Sequence, residues 1–575
     1  MKQKVKNLFV KEEKSNLLTS EMNIFEKEMF KASHQTQSGN GSIKYTTSGN
    51  PFVDDFSILA AYREPRDINE IFATSDRLWN MSPIQFLKET FYLRMITRES
   101  KLLTGVKLTT QRGQGLKFEF YGRMLYLAEN HFKTFVKNLP ILIAAGSWYD
   151  VFEILRMDLE YNGLTNHGFK WYPVLDFIIN GLADKDQNDL VKKYLPTINC
   201  ASNCKTLRKQ ANSVIAKKIA IAMFSDKNFK KLNGHDKSLV FKQYRKLKAS
   251  GTAHDWQQAI SRQDFKHLNF SHIAGRALSK LVGTKFLKNN NLEEAFGKWI
   301  LSQPTAKFTG YVHELFEPLA GGSPWHPITV PQYREELINR QFKTLIDEAS
   351  IDLDRQTNFI VCLDISSSMR TPASGANMSC YDVGKAMALY FSELLTGKFK
   401  NTFLTFSDNV QMESWKGDTP SEKFKNFQAD YYGSTDFLGV AKTLVTLKNK
   451  GYKEEDFPTG IICISDCEFN PSDNINMPVF EAFLDKLRKG GFSEEFVSKF
   501  KIVLWNLSNS YYNENITEVK VEDLADRPNL YYMSGLDPAS IAFIMGTKYN
   551  PAIPKTAEEL YEAAMNQELL NLLKV

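Results

Sequence analysis

Five oxygen-bearing side chains in the C-terminal third of the chain have the types and spacing of cation ligands. Asp364, Ser366 and Ser368 form the motif DxSxS directly after the apolar run FIVCL. Thr435 lies in GSTDF, and Asp466 ends the segment IICISD. Mg²⁺ takes about six oxygen ligands and usually keeps some of its waters, so the three side chains of one motif are too few. All five, together with water, would suffice for Mg²⁺ or for another divalent cation such as Mn²⁺.

The chain from about residue 350 onward alternates between strand-like and helix-like patterns. TNFIVCLDISSSM predicts a buried strand that ends in a polar loop, and SCYDVGKAMALYFSELLTGKF predicts the helix that follows it. Further strands are predicted in NTFLTFSDNV, TGIICISDCEF, KIVLWNLSNS and LYYMSG. This order predicts a doubly wound, mostly parallel, Rossmann-like sheet that is covered by helices on both faces.

The five candidate ligands fall where these predicted elements would bring them together. In doubly wound sheets, ligands bind beyond the carboxyl ends of the strands, which is where the polar residues of these segments lie. Each Ser, Thr or Asp alone could instead cap a helix N-terminus, a position that these residue types favour. Because all five occur at correlated strand ends, we favour a cation site over five separate caps.

Residues from about 55 to 345 predict a different architecture. Segments such as SPIQFLKETFYLRMITRES, KFEFYGRMLYLAENHFKTFVKNL and SWYDVFEILRMDLEYN repeat apolar residues at helical spacing, and Ser82 before Pro83 is a helix start signal. Strand-like alternation is nearly absent here. We therefore expect an all-helical repeat array in which each helix pair buries its apolar stripe against the next. No fixed period is legible, so the repeat type stays open.

These patterns divide the chain into four parts. The chain has 575 residues, which exceeds the roughly 250 to 300 that one hydrophobic core supports. We predict a flexible N-terminal arm over residues 1–50, a helical-repeat domain over 51–347, the α/β domain over 348–550, and a C-terminal helix over 551–575 that packs back onto the body.

Composition narrows the functional classes. Hydrophobic residues make up 43% and charged residues 24%, as in ordinary globular proteins. The sequence has no uninterrupted apolar stretch of about 18 residues and no signal-peptide pattern at its N-terminus, so we expect a cytoplasmic protein without a membrane association. It also lacks a phosphate-binding loop, a nucleophile elbow and a Cys/His pair in a catalytic frame, which argues against an enzyme.

Cysteine and histidine give weak signals. None of the six cysteines forms a CxxC pair. Cys200 and Cys204 could lie one helical turn apart and bind a metal, but without a second pair we favour free, reduced thiols. His254, His267 and His272 have no HExxH frame, so we interpret them as structural or surface histidines.

Positive charge is concentrated in the helical region. Residues 191–290 contain 21 Lys and Arg against 4 Asp and Glu, a balance of +17 in a chain whose total is +6. A block of this density is typical of a surface that binds a polyanion, although a solvated helix face is the alternative. Lys and Arg neutralise phosphates without reading sequence. The candidate RNA-binding residues are Arg208, Lys209, Lys217, Lys218, Lys230, Lys231, Lys242, Arg245, Lys246 and Lys248.

Aromatic residues are interleaved with this basic block. Tyr244, Trp256 and Phe265 could stack on unpaired bases, as proteins that bind single strands prefer. Packing between helices is the more ordinary role for each of them. The combination favours a single-stranded nucleic acid as a partner class.

The cation motif resembles the metal-ion-dependent adhesion site (MIDAS) of von Willebrand factor A (vWA) domains, which combines DxSxS with a Thr from a second loop and an Asp from a third. The matching residues here are Asp364, Ser366, Ser368, Thr435 and Asp466. Ser367 stands where the family often has Gly. In such domains a partner completes the shell of the cation with a carboxylate or another oxygen. The resemblance therefore implies ligand binding rather than catalysis.

The chain as a whole resembles the TROVE-domain Ro proteins, in which a ring of HEAT-like helical repeats is closed by a vWA domain and binds small noncoding RNA. It is more similar to a TROVE-related family of uncharacterised plant and phage proteins. The similar segments are LTFSD, STDF, ISDCEF and VLWNLSNS in the vWA part, and FYLRMITRES, AENHFKTFVKNLP, GSWYD, VKKYLP and QYRKL in the helices. The resemblance covers roughly residues 55–545, and whether the helices close into a ring stays open.

The sequence thus predicts a Ro-like scaffold that binds noncoding or single-stranded RNA through basic helical repeats. One alternative is a protein-interaction module whose vWA cation binds a partner carboxylate. Another is a structural component of a phage particle, suggested by the Lys-, Asn- and Phe-rich composition. Basic residues that converge on one face would favour RNA binding, whereas an even spread would favour the interaction module.

Overall fold

The computed structural model describes residues 35–37, 43–45, 49–61, 66–95, 98–101, 107–110, 113–165, 168, 170–199, 206–225, 233–251, 255–322, 328–349, 358–373, 376–395, 398–429, 433–471, 477–508, 528–536 and 556–575. Their contacts form two compact units. The sheet unit comprises the described residues of Met1–Glu64 and Thr309–Ala563, and the helical unit those of Pro65–Phe308 and Ala564–Val575. The predicted combination of a helical region with an α/β region is confirmed, although the helical region is mostly rather than entirely helical.

A six-stranded sheet organises the sheet unit. Its strands are β1 Phe359–Asp364, β2 Thr402–Phe406, β3 Val410–Ser414, β4 Gly460–Ser465, β5 Lys501–Asn506 and β6 Leu530–Ser534. They lie in the order β6-β5-β4-β1-β2-β3, and all neighbours are parallel except β2 and β3. The order reverses between β1 and β4, which defines the doubly wound topology and places a ligand-binding edge at their carboxyl ends.

Helices cover both faces of this sheet because its central strands are apolar on both sides. All six residues of β1 and all six of β4 are buried. Ile360 and Cys362 pack into one core, with Phe437 and Phe483 among its members, while Trp505 meets Phe391 on the helix Cys380–Leu394. The helices of the unit are Pro51–Ala61, Val312–Phe316, Gln332–Ala349, Cys380–Leu394, Pro420–Asn426, Leu438–Asn449, Val479–Lys489, Glu494–Lys499 and most of Ala557–Met565.

The helical unit consists mainly of amphipathic helices with apolar residues on their packed faces. Ser82 caps the second helix, as predicted, by accepting a hydrogen bond from the backbone N–H of Gln85. Phe152 and Ile215, on two helices of this unit, are completely buried. The helices are Ile68–Met81, Pro83–Tyr92, Lys117–Asn130, Phe132–Lys137, Leu139–Ala145, Trp148–Asn162, Tyr172–Ala183, Asn188–Tyr194, Leu207–Phe224, Gly234–Ala249, Asp255–Ser261, Gly275–Gly283, Phe286–Asn289 and Glu293–Ser302.

Among the residues that the structure describes, no helix combines the length and the apolar character that a bilayer crossing needs.

Two short antiparallel hairpins were not predicted from the sequence. Gln35–Gln37 pairs with Ile43–Tyr45 inside the predicted arm, and Arg98–Lys101 pairs with Lys107–Thr110 inside the helical unit. The second hairpin corrects the single long helix expected in SPIQFLKETFYLRMITRES, because that helix ends at Tyr92. Beyond this end, the Arg94 guanidinium donates to the Asp150 carboxylate at 2.7 and 2.9 Å. A buried tertiary ion pair, which periodicity does not reveal, accompanies the helix end.

The sheet unit begins earlier than residue 348, where the sequence placed the start of the α/β domain. Phe316 stacks on Phe424 with ring centroids 4.7 Å apart, and Phe342 meets Tyr390 at 6.4 Å. The helices that precede β1 therefore bury their apolar faces in this unit. Helical periodicity shows that a segment has an apolar face, but it does not show which core that face joins.

The C-terminal segment is divided between the units. The expected helix over 551–575 is described as Ala557–Met565 and a 3-10 turn at Leu570–Leu572. The side-chain amide of Asn138 donates to the backbone oxygen of Lys574 at 2.7 Å and accepts from its N–H at 3.0 Å. These paired bonds hold the end of the segment, at Lys574, in the helical unit.

Lys385 is a buried charged residue in the core of the sheet unit. Its side chain lies over the rings of Phe424 and Tyr381, with Nζ 4.1 and 5.7 Å from their centroids. Burial lowers the pKa of Lys385 from 10.5 to about 8, against a smaller opposite effect of Asp382. Cation–π contacts compensate part of the cost of burying this ammonium group.

We predict that Lys385→Met stabilises the protein near neutral pH by up to roughly 3 kcal/mol, less the lost cation–π contacts. The pKa of Lys385 is lower in the folded state than in the unfolded state. The unfolded chain therefore binds more protons between the two values, and the free energy of unfolding contributed by Lys385 rises with pH from about 8 to 10.5. Urea unfolding should therefore show a smaller difference in the free energy of unfolding between the variant and the wild type at about pH 10 than at about pH 7. An advantage that persists at the higher pH, or that Lys450→Met on the surface shares, would contradict this account.

Candidate cation site and basic surface

The sheet topology brings the three predicted ligand segments to one edge. Asp364 is the last residue of β1, and Asp466 directly follows β4, the parallel neighbour of β1. Thr435 precedes the helix Leu438–Asn449. The backbone N–H of the next residue, Asp436, donates to the carbonyl of Ser407 at 3.1 Å, just beyond the end of β2. Strands β2, β1 and β4 are consecutive in the sheet, so their carboxyl ends present all three segments together.

The DxSxS loop folds around the Asp364 carboxylate. The backbone N–H of Ser366 donates to Oδ1 of Asp364 at 2.8 Å. The hydroxyl oxygens of Ser366 and Ser368 lie 3.1 Å apart, which places two potential ligands side by side. Ser367 between them is exposed, so its side chain faces away from this pair.

Ser465 is a further member of the site that the sequence analysis missed. Its hydroxyl donates to Oδ2 of Asp364 at 2.5 Å and accepts from the backbone N–H of Cys467 at 2.9 Å. Ser465 therefore links the Asp364 carboxylate to the turn that carries Asp466. The available signal was its place directly before Asp466 at the end of a buried strand.

Four of the five candidate ligands are buried, and the fifth, Ser368, is half-buried. Asp364 is completely buried, and Ser366, Thr435 and Asp466 are 1%, 2% and 4% exposed. Burial, followed by repulsion from the Asp466 carboxylate, raises the pKa of Asp364 well above its ordinary value. The hydrogen bonds from Ser465 and Ser366 lower this pKa and offset only part of the increase. Two carboxyl groups are therefore held together out of water, where ionisation of both is unfavourable.

This donor set fits a small dication. It offers two carboxylates and three hydroxyls, all hard oxygen donors of the kind that Mg²⁺ and Mn²⁺ prefer. A charge of +2 would also offset the repulsion between the two carboxylates. Among the described residues, no group of three or more His, Cys, Asp or Glu side chains is arranged to hold a metal ion. The candidate site differs from such clusters because hydroxyls supply more than half of its side-chain ligands.

The basic residues of helix Gly234–Ala249 form a defined stripe. Lys242, Arg245 and Lys246 are exposed and follow the i, i+3, i+4 spacing of one helix face. Val240 and Tyr244 are buried on the opposite face. We call Lys242, Arg245 and Lys246 the basic stripe.

Other members of the predicted RNA-binding set have protein partners. Nζ of Lys248 donates to the carbonyl of Leu195, and burial lowers the pKa of Lys248. Arg208 donates to both carboxylate oxygens of Glu153, at 3.0 and 3.1 Å. Of the remaining members, Lys209 is exposed, and Lys217 and Lys218 are half-buried. Nζ of Lys218 lies 5.4 Å from the centroid of the Trp171 ring. Lys230 and Lys231 lie outside the described residues.

The interleaved aromatic residues pack within the unit. Tyr244 is completely buried, and its hydroxyl donates to the carbonyl of Pro196 at 2.7 Å, so its ring is not available for stacking on a base. Phe265 meets Phe286 edge to face at 5.8 Å. Trp256 is half-buried. Tyr244 therefore has the ordinary role of an aromatic residue that packs between helices.

Six exposed cations beyond those singled out from the sequence lie among the described residues of the basic block. They are Arg262, Lys266, Arg276, Lys280, Lys285 and Lys288. They are spread over short helices and turns, so the sequence pattern shows no single helix face for them. The exposed positive charge therefore extends past the basic stripe.

Part of the chain matches a known protein family. A model of the family described as "Domain of unknown function (DUF7788)" matches residues 358–568, which contain all five candidate ligands. The comparison with curated proteins gives no match. Among solved structures, the chain is similar to "Crystal structure of Deinococcus radiodurans RO (RSR) protein", with 11% identity and a TM-score of 0.40 over 86% of this chain and 98% of that chain. The strand order of the sheet and the helices on its faces define the fold class.

We predict that Mg²⁺ stabilises the wild-type protein and leaves Asp364→Asn unchanged. A cation that binds only the folded state adds about 2.7 kcal/mol at a concentration 100-fold above its dissociation constant, and the substitution removes a central ligand. In chelator the variant should be at least as stable as the wild type, because one of two buried like charges is gone. Thermal unfolding with Mg²⁺ and with chelator measures both effects. The exposed Asp418→Asn is the control and should respond as the wild type does. Equal gains for wild type and Asp364→Asn would rule out this site.

Proposed function

We propose that this chain is a Ro-like, non-enzymatic scaffold that binds noncoding or single-stranded RNA through its basic helical surface. The observation that carries the proposal is the basic stripe. Its three cations share one exposed face, whereas the opposite face of the same helix packs into the unit. Converging cations of this kind neutralise neighbouring phosphates and release their counterions, which gives affinity without sequence specificity.

The proposal assigns a second binding role to the vWA-like cation site. Asp364, Ser366, Ser368, Thr435 and Asp466 would hold Mg²⁺ or Mn²⁺, directly or through water. The bound cation would supply an electrophilic centre for an oxygen ligand. Four of these residues are buried and Ser368 is half-buried at the carboxyl edge of the sheet, which supports such a role.

A protein-interaction module is the second candidate function, and the coupled carboxylates of the site favour it. In that case a partner carboxylate completes the cation shell, and the basic stripe is solvated surface. The phage-component hypothesis has no separate structural support in the described residues.

We expect the affinity for a short unstructured RNA to fall linearly with salt on a log–log plot, at a slope of about 0.7 per phosphate neutralised. Replacing Lys242, Arg245 and Lys246 together by Gln should lower that slope by about 2 and weaken binding to all sequences alike. Lys248 is left intact because its buried side chain has a structural contact. Fluorescence anisotropy over a salt series measures affinity and slope together.

Lys400, Lys416 and Lys450 replaced together by Gln provide the matched control. They remove the same three charges from exposed positions of the sheet unit. The control should keep the wild-type slope. RNA binding that survives loss of the basic stripe but disappears with chelator would contradict the proposal, because it would place the ligand at the cation site.

A further inference from the structure

The loop that carries Thr435 is connected to the segment after β4 by hydrogen bonds of one residue, Asn470. Its Oδ1 accepts from the backbone N–H of Thr435 at 3.3 Å, and its backbone N–H donates to the Thr435 carbonyl at 3.0 Å. Its Nδ2 donates to the hydroxyl of Ser434 at 2.9 Å. Asn470 therefore contacts both peptide groups of Thr435 and the preceding side chain. Asn470 lies four residues after Asp466, so these hydrogen bonds connect the segment that carries Thr435 to the segment that carries Asp466.

Asp408 holds the same loop from the other side. It lies just beyond the end of β2, and its Oδ1 accepts from both the backbone N–H and the hydroxyl of Ser434, at 2.8 and 2.6 Å. The backbone conformation at position 433 favours glycine. Gly433 has a φ of +94°, and a Cβ atom there would lie 2.0 Å from Oδ2 of Asp408. The path of the chain into Thr435 is thus set by Asp408, Gly433 and Ser434.

We propose that Asn470 and Asp408 are positioning residues that preset Thr435 for the cation, and this inference rests on the proposed cation site. Asp364 and Asp466 are fixed by strand ends, but Thr435 lies in the connection between the helices Pro420–Asn426 and Leu438–Asn449 and has no strand to hold it. A weak neutral ligand such as a hydroxyl contributes to affinity only if it is already in place when the cation arrives. The Asn470 and Asp408 bonds supply that order and couple Thr435 to the Asp466 turn.

The geometry separates positioning from direct ligation. Both short bonds to Asp408 use the same oxygen, Oδ1, and both come from Ser434. Asp408 is solvent-exposed, unlike the buried carboxylates of the site. Its effect on the cation should therefore depend on its hydrogen-bond acceptor and little on its charge.

The test is a double-mutant cycle on the full chain with Mn²⁺ as the probe, measured by calorimetry. Asn470→Ala should weaken Mn²⁺ binding by about 10-fold, the lower end of what loss of an outer-shell partner costs. Thr435→Ala should weaken it as well. If Asn470 acts through Thr435, the double variant binds no more weakly than Thr435→Ala alone. Effects that multiply in the double variant overturn the positioning role.

Two further variants guard against a general loss of structure. Asp408→Asn keeps an oxygen acceptor for Ser434 and should retain wild-type affinity, whereas Asp408→Ala should lose affinity. A loss in Asp408→Asn equal to that in Asp408→Ala would indicate a charge effect and overturn the proposed role of Asp408. Asn449→Ala, at an exposed position on a helix of the same unit, is the matched control and should leave affinity unchanged.

A metal-free readout distinguishes failure of this inference from failure of the cation site. The Thr435 amide donates to Asn470, so Asn470→Ala should speed its hydrogen exchange in chelator while the amides of β1 and β4 stay protected. Unchanged exchange at Thr435 overturns the coupling even if Mn²⁺ binds. A wild-type protein that binds no Mn²⁺ overturns the site itself and, with it, the role of both positioning residues.

Discussion

The repulsion between two buried carboxylates, Asp364 and Asp466, is the constraint around which the sheet unit is arranged. Both side chains are withdrawn from water at the carboxyl edge of adjacent parallel strands. Hydrogen bonds from Ser366 and Ser465 satisfy oxygens of Asp364 but do not cancel the effect of burial and repulsion on its pKa. Such a pair persists when a cation neutralises it or when one carboxyl keeps a proton. The hydroxyls beside the pair favour the cation.

The rest of the unit can be understood from the way it holds this pair. The reversal of strand order between β1 and β4 places the two ends side by side, and buried apolar residues on both faces of these strands fix their positions. Thr435 has no such support and depends on hydrogen bonds from its neighbours. In the helical unit, helix periodicity determines which residues reach solvent. Val240 and Tyr244 face the core of the unit, so the basic stripe on the opposite side of the same helix is exposed.

Local patterns predicted much of this architecture. The apolar runs gave β1, β2, β4, β5 and β6, and the DxSxS spacing identified the loop after β1. The antiparallel edge strand β3 was missed because its residues are largely exposed and lack an apolar run. The roles of Ser465, Asn470 and Asp408 depend on contacts between distant segments, which no spacing in the sequence encodes. Lys248 could have been recognised, since it lies one helical turn after the apolar position Tyr244.

The most direct test of the central claim is to locate the cation itself. Crystals of the full chain grown with Mn²⁺ should give an anomalous difference peak at the carboxyl edge of the sheet, about 2 Å from the hydroxyl oxygens of Ser366 and Ser368. The carboxylates of Asp364 and Asp466 and the hydroxyl of Thr435 should ligate the same ion directly or through one water. A peak at other side chains, or none at this edge with Mn²⁺ in excess, would contradict the account.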